Sequence, residues 1–524
     1  MRIYLISPAP DFGIRALNND CAIGFSKSYA MNAAAGIATV AAFFPDDMDI
    51  RLCDEIVEPV DYEDPADIIA VSMNVAQAPR GVEMARRFRE KGKTVVFGGA
   101  HVSLAPQLFE GLADCLVVGE FEAIAAQFVA DLQAGRLKPR YDGAKPDLAT
   151  SPKPRWDLYP NHLALAGVVQ TSRGCPFDCH FCDVIQYLGR VQRHKPTERV
   201  VEEVHALYDL GYRQINLSDD NFTVYRQRTR ALLSALAEWN GADGREPVSF
   251  LTQMSIDVAR DPDVLTLCNQ AGLRFGLVGI ETSNVEALKE SRKRQNLKID
   301  LVKQVETIVR AGISVQAGLM VGFDNDDLSS FERQLEFAQA MPIIVFRPAV
   351  LVAPLATPLY DQMKAAGRIV EDPKATLAPF GSSLTNIEPL QMTREQLAEG
   401  AEWLRRQILA PDNVIKRFEY YGRVVGEIPS HLVPRQGGAQ SKKAAPFLEL
   451  FGLGARDRDL RRVIECVNDI ASVRPRVRSD LMLALGMYLN SYVRQPREMD
   501  DPFNGASGSM GRPAEPMWGA QAGA

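Results

Sequence analysis

Three cysteines crowd into the segment Thr171-Ser-Arg-Gly-Cys175-Pro-Phe-Asp-Cys179-His-Phe-Cys182-Asp183, at the spacing Cys-x3-Cys-x2-Cys. Thiolates hold iron–sulfur clusters, and four is the usual complement of a 4Fe–4S cubane. A loop that offers three leaves one iron without a protein ligand, and an open coordination position is where a metal does chemistry. A zinc site is the competing reading, with His180 as the fourth ligand. A structural disulfide fits less well, because eight cysteines in 524 residues do not make a dense secreted framework. The other five (Cys21, Cys53, Cys115, Cys268 and Cys466) are scattered and read as small buried hydrophobes.

The cysteine loop follows a strand, Gly167–Thr171, and strand–helix repeats follow it. Pro196–Leu210 reads as a helix capped by Thr197, with Val200, Val201, Val204 and Leu207 at helical spacing. Further strands are expected at 214–217, 250–255, 275–279, 315–321 and 347–352, separated by helices at 227–239, 262–271, 297–311 and 328–339. That makes about six βα units, and in βα barrels the working residues sit at the carboxyl ends of the strands. The polar residues there are Asp219 and Asp220 with Asn221, Gln253 and Ser255, Glu281, and the segment Gly318–Gly322.

The first third also alternates short apolar runs with helical patterns: strands at 3–7, 49–54, 68–72, 94–97 and 115–118, helices at 34–44 and 80–91. Repeated βα units with buried strands predict a parallel sheet covered on both faces, binding ligands beyond the strands' carboxyl ends. Ser72 and Asn74, Gly98-Gly99-Ala100-His101 and Gly119-Glu120 fall there. After the barrel pattern, 359–366 and 394–409 read as helices, the second capped by Thr393, and 447–494 as two or three more. Residues 437–445 form a polar linker, and the Gly-, Ala- and Pro-rich stretch beyond 495 reads as disordered. Tyr360, Tyr420 and Tyr421 read as core aromatics. A net charge of −7 argues against a broad nucleic-acid-binding surface, and no run of 18 apolar residues predicts a membrane span. The chain is expected in the cytoplasm, where thiols stay reduced.

The cysteine spacing, with Phe181 just before the last thiol, resembles the cluster loop of the radical S-adenosylmethionine (SAM) enzymes. The order of the N-terminal pieces resembles the cobalamin-binding domain that precedes many of these barrels, and the stretch after the barrel resembles an extension seen in hopanoid C-methyltransferase-like proteins. The resemblance covers roughly residues 1–425. It implies an α/β chain with a doubly wound, Rossmann-like cobalamin-binding domain at 1–145 and a linker at 146–165. A partial (β/α)6 barrel at 166–355 and a C-terminal extension at 356–435 follow, then a mostly helical region at 446–495. It implies Cys175, Cys179 and Cys182 as ligands of a 4Fe–4S cluster. Asp219 and Asp220 would meet the SAM amino group, Glu281 the ribose, and Ser255, Gly318 and Gly322 the ribose and adenine. Ser72, Asn74, Gly98, Gly99, His101, Gly119 and Glu120 would line the cobalamin site. Arg173 either screens the cluster or pairs with a carboxylate. The chain departs from many cobalamin proteins in lacking Asp-x-His-x-x-Gly, whose histidine ligates cobalt; its first loop runs Pro8-Ala9-Pro10-Asp11-Phe12-Gly13. The activity implied is a C-methylation at an unactivated carbon of a small-molecule or lipid-like substrate, through a 5′-deoxyadenosyl radical and methylcobalamin, with an external flavodoxin- or ferredoxin-type electron donor. Other radical outcomes of the same parts, and a non-catalytic iron–sulfur or cobalamin sensor, are the alternatives.

Overall fold

The computed structural model describes residues 1–10, 29–371, 383–433 and 445–493. The first loop beyond Pro10, Cys21, most of the 437–445 linker and the segment beyond 495 lie outside the described residues.

The first seven strands are β1 (Arg2–Ser7), β2 (Ala30–Asn32), β3 (Asp49–Asp54), β4 (Ile68–Ser72), β5 (Thr94–Gly98), β6 (Cys115–Gly119) and β7 (Arg140–Gly143). Six of them form one parallel sheet in the order β3-β1-β4-β5-β6-β7. Continuous apolar runs such as Ile3-Tyr-Leu-Ile6 are what a sheet covered on both faces requires, and all four residues are buried. The helix Ala78–Glu90 covers one face through Met84, Ala85 and Phe88, and this makes a separate core with Tyr4, Ile6, Val71 and Phe97. The other face packs on Ile37, Phe44 and Phe128 and is continuous with the core of the rest of the molecule.

Eight more strands follow: β8 (Ala164–Val169), β9 (Ser172–Arg173), β10 (Arg193–His194), β11 (Gln214–Leu217), β12 (Ser249–Met254), β13 (Leu273–Glu281), β14 (Ser314–Val321) and β15 (Val345–Val350). The second sheet has seven strands in the order β15-β14-β13-β12-β11-β8-β2. Its two end strands do not pair with each other, so it is an open, partial barrel. The six barrel strands stand where the apolar runs put them. The seventh, β2, was not anticipated: three residues, Ala-Met-Asn, are too short to carry a period-2 signal, and their pairing with Ala164 and Ala166 is a long-range event. β7 was likewise not anticipated. It is only Arg-Tyr-Asp-Gly, of which Tyr141 is buried. Thr197 is the first helical residue rather than the cap, because Pro196 precedes it in an extended conformation.

The Pro-rich connector packs into the core through Trp156 and Tyr159, and the Tyr159 hydroxyl donates to Asp54 at 2.8 Å. Beyond the barrel the helices are Pro358–Ala365, Arg394–Leu409, Pro411–Val424, Ala445–Gly454, Arg458–Val473 and Arg478–Val493. Thr393 and Gln396 make a reciprocal capping box at the second of these, as the sequence leads one to expect. Tyr421 is buried and bonded to the Ser314 hydroxyl. Among the described residues no helix is long and apolar enough to cross a membrane.

Candidate active site

The cysteine loop leaves β8 and is folded back by the short antiparallel pair β9–β10. Gly174 makes the turn possible. Its φ of +96° is left-handed, and a Cβ there would stand 2.9 Å from the carbonyl oxygens of Gly189 and Val191. Backbone bonds pin the loop from both sides: Cys175 N–H donates to the Gly189 carbonyl, His180 N–H to Ser291, and Leu359 N–H to the His180 carbonyl. Cys175, Cys179 and Cys182 all line one cavity of about 390 Å³ on the barrel's strand ends. Burial raises the pKa of the Cys175 thiol, and pushes Cys182 up to about 12. Among the described residues no three His, Cys, Asp or Glu side chains stand close enough to share a single metal ion. Three thiols spread around one cavity suit a multi-iron cluster better than one zinc, and His180 is not among the lining residues.

The two aspartates that follow β11 divide. Asp219 is buried and fully engaged: it accepts from Thr171 N–H at 2.8 Å, Ser172 N–H at 2.8 Å and the Thr171 hydroxyl at 2.5 Å, with Arg228 at 3.8 Å. It ties the barrel to the root of the cysteine loop and does not line the cysteine cavity. Asp220 lines it, accepts from Gly174 N–H at 2.7 Å, and is pushed up to about 6, chiefly by burial.

On the opposite wall β13 is irregular between Gly279 and Glu281, and Glu281 takes a left-handed φ of 68°. A non-glycine residue held there is strained and must be fixed by its surroundings. The fixing partner is Lys293, whose ammonium meets the Glu281 carboxylate at 2.7 Å, the lysine mostly and the glutamate fully buried. A Cβ on Gly279 would fall 2.4 Å from that carboxylate and 2.6 Å from that ammonium, so the glycine leaves the pair its room. Burial alone would lower the Lys293 pKa, but Glu281 and then Cys179 more than offset this and raise it. The ammonium thus stands, paired with Glu281, on the wall of the cavity that the thiols share. Gln295 adds a side-chain N–H 3.8 Å from the Cys179 sulfur. Sequence reading missed Lys293 and Gln295. Ser255, Gly318 and Gln253 line the same cavity, and the Ser255 hydroxyl bonds Asp257.

A second cavity, about 500 Å³, opens between the strand ends of the N-terminal sheet and the barrel. Ser72, Gly98, Gly99, Gly119 and Glu120 line it, together with Ile3, Phe43, Phe44 and Phe128. The glycines are there for backbone contact: a Cβ on Gly99 (φ +98°) would lie 2.6 Å from both Met73 N and O, and one on Gly119 (φ +82°) 2.1 Å from the Gly143 carbonyl oxygen. Arg173 of the cysteine loop reaches across and pairs with Glu120 at 2.5 Å and Glu122 at 2.6 Å, while Arg193 holds the other Glu120 oxygen at 2.5 Å. Of the two readings of Arg173, carboxylate pairing is the one seen, though the partners are buried rather than on the surface.

Three expected residues stand elsewhere. Asn74 is exposed and makes a capping box with Gln77 instead of lining the second cavity. His101 sits edge-on to Phe109, lowered by burial to about 4, on the rim of the cysteine cavity. Gly322 lines neither cavity; its missing Cβ makes room for Leu397, 2.9 Å away. The two cavities share Asp220 and Gln253.

The model of the radical SAM superfamily matches residues 169–338. A curated but uncharacterised methyltransferase of Synechocystis sp. is 31% identical over 65% of this chain, and this chain covers 65% of its length. The hopanoid C-2 methylase of Rhodopseudomonas palustris is 28% identical over 74% of this chain and 72% of that protein. Among solved structures, the radical SAM methyltransferase TsrM of Kitasatospora setae, with cobalamin and a [4Fe-4S] cluster bound, superposes with a TM-score of 0.56 at 15% identity, over 86% of this chain and 88% of that one. That likeness is one of fold.

Proposed function

We propose that this chain is a radical SAM enzyme and a cobalamin-dependent C-methyltransferase of a small-molecule or lipid-like substrate. The observation that carries this reading is the meeting of the two cavities at Asp220 and Gln253, one walled by the three thiols and the other by the glycine-bearing strand ends. The relatives' names point to methyl transfer, including to hopanoids, and the fold is shared with a protein that carries both groups. When bound, the cluster with SAM supplies a hydrogen-abstracting radical, and the corrinoid supplies the methyl group.

The remaining work falls to the protein. Cys175, Cys179 and Cys182 hold the cluster. Lys293 and Gln295 stabilise negative charge on its sulfurs, since an ammonium and an amide N–H both favour electron-rich sulfur. Asp220, Ser255, Gly318 and Glu281 bound the SAM pocket. Ser72 and Gly98 border the space for the corrinoid, Gly99 and Gly119 let the strand-end turns close against Met73 and Gly143, and Glu120 holds the sheet domain to the cysteine loop through Arg173. Phe177, Phe181, Leu277, Met320 and Val350 on the wall of the cysteine cavity help keep water from a radical. Residues 1–145 form the corrinoid domain and 166–355 the barrel; a low-potential flavodoxin or ferredoxin of the cytoplasm supplies the electron.

The test is anaerobic. Reconstitute the chain with iron and sulfide, add hydroxocobalamin, remove excess, and quantify iron, sulfide and corrinoid. Then add SAM and dithionite and follow nucleosides. About four iron and one corrinoid per chain, with SAM cleavage lost in Cys175→Ala, is the expected result. Iron without corrinoid refutes the methyl-transfer mechanism and leaves a radical SAM enzyme of another outcome. With a substrate in hand, equal amounts of S-adenosylhomocysteine and 5′-deoxyadenosine mark methylation.

A further inference from the structure

Deep in the second cavity's wall lies an ion pair with no role in the arrangement above. Lys195 follows β10 and is anchored by its backbone N–H to the Thr171 carbonyl at 2.9 Å. Glu203 is on the helix Thr197–Asp209, on the same buried face as Val200, Val204 and Leu207. Nζ and Oε1 are 2.6 Å apart, with the side chains 7% and 2% exposed, and both residues line the cavity. The second carboxylate oxygen, Oε2 of Glu203, is buried and has no hydrogen-bond partner among the described residues. Burying a carboxylate and an ammonium among valines and a leucine is poor stabilisation compared with an apolar pair of the same volume. An oxygen left orphaned there adds a further penalty. Both residues line the cavity, so a ligand seated there is the group available to complete the pair.

We propose that Lys195 and Glu203 form a recognition site for a neutral primary carboxamide on the rim of the corrinoid, and that the pair discriminates against the corresponding carboxylic acid. The inference rests on the corrinoid reading given above. The pair carries no net charge, yet offers one vacant acceptor beside an ammonium donor. A primary carboxamide presents the complement: an N–H for Oε2 of Glu203 and a carbonyl for Lys195. An anionic group meets Glu203 as a like charge at contact distance, so a carboxylate or phosphate is disfavoured relative to the amide although Lys195, with Arg199 and Lys153 also acting on Glu203, would attract it. The corrin ring bears primary carboxamides around its edge, and single-amide hydrolysis yields a set of mono-acids otherwise identical to the parent.

The full chain, cluster-loaded, is titrated with hydroxocobalamin and with each mono-acid isomer, following corrinoid absorbance to obtain Kd. The proposal expects one isomer to bind the wild-type protein about tenfold or more weakly than the parent, the others staying within about twofold. In Glu203→Gln, whose amide can turn its N–H2 to the cavity, that discrimination shrinks or inverts. In Lys195→Met with Glu203→Leu, an apolar pair that packs without buried charge, discrimination vanishes and the parent itself binds more weakly. Equal binding of every isomer by the wild-type chain overturns the proposal without any variant, as does discrimination that survives Glu203→Gln. If the wild-type chain binds no hydroxocobalamin at all, the corrinoid reading falls and this inference with it.

Discussion

Asp219 separates two readings of the same residue, and Asp219→Asn tests them. By family likeness this position meets the SAM amino group; in the structure its carboxylate is spent on Thr171 and Ser172. All three bonds go to a buried charged acceptor, and such bonds contribute about 1.5–3 kcal/mol each. Asparagine keeps one acceptor oxygen and turns an N–H2 toward backbone donors, so at least one bond is lost and one contact becomes donor against donor. Arg228, 3.8 Å away and itself buried, loses its carboxylate as well. Together these place the loss at roughly 3–5 kcal/mol, the range for breaking a buried charged network. That is a large part of a domain's usual stability. The assay is denaturant unfolding of the apo chain, paired with iron retention after gel filtration and SAM affinity measured on the cluster-loaded fraction alone. Asp219→Asn is expected to lower the unfolding midpoint and iron retention while leaving SAM affinity per cluster within about twofold. A variant that unfolds like wild type and keeps its iron, but no longer binds SAM, refutes the structural role.

Three further outcomes follow from the geometry. Lys293→Met strands the buried Glu281 carboxylate and should destabilise the chain by about 3–5 kcal/mol. Adding Glu281→Gln should restore more than half of that, a coupling that a double-mutant cycle of unfolding free energies reads directly. Gly119→Ala places a methyl 2.1 Å from the Gly143 carbonyl at a left-handed φ, and should cost about 1–3 kcal/mol and weaken corrinoid retention, checked by thermal melting and bound-corrinoid absorbance. Asp480, on the helix Arg478–Val493, is pushed up to about 6 by burial, with Arg274 pulling it back only in part. An acid raised in the folded state binds its proton more tightly there than in the unfolded chain, so it reduces stability as pH rises from about 4 to about 6. Asp480→Asn should therefore stabilise the apo chain by about 2–3 kcal/mol at pH 7 and by nothing near pH 3, as pH-dependent unfolding curves will show.

The parts of the molecule legible in the sequence are those whose signal is local. The barrel strands β8, β13 and β14 are mostly apolar runs and β11 and β12 alternate, the helix Arg394–Leu409 announces itself with Thr393 and Gln396, and the cysteine spacing is written within a single loop. What escaped reading depends on distant partners. The strand Ala30–Asn32 exists because Ala164 and Ala166 offer it an edge. Asn74 lies at a strand end, where a ligand contact is the natural expectation, yet a glutamine three residues on takes its side chain for a cap. Gly322 has the left-handed φ of a ligand-approach glycine, but the atom it accommodates is a leucine on a helix 75 positions later, Leu397.

The same distinction runs through the site. Each charge that supports the cysteine loop is balanced by a residue from a separate element: Arg173 by Glu120 and Glu122 of the N-terminal domain, Asp219 by Arg228 of the next helix, Lys293 by Glu281 at the end of β13. An unpaired charge buried in this region would be prohibitive before any cluster arrived, so the folded apo chain needs these partners in place. Pairing also fixes how the two cavities meet. Arg173 stands two residues before Cys175 and is held by carboxylates that line the second cavity. Movement of the sheet domain away from the barrel must therefore either drag the root of the cysteine loop or break buried ion pairs. Docking of the two domains and the shape of the cysteine loop are consequently one mechanical problem, solved by Arg173 and Arg193 on one side and Glu120 and Glu122 on the other.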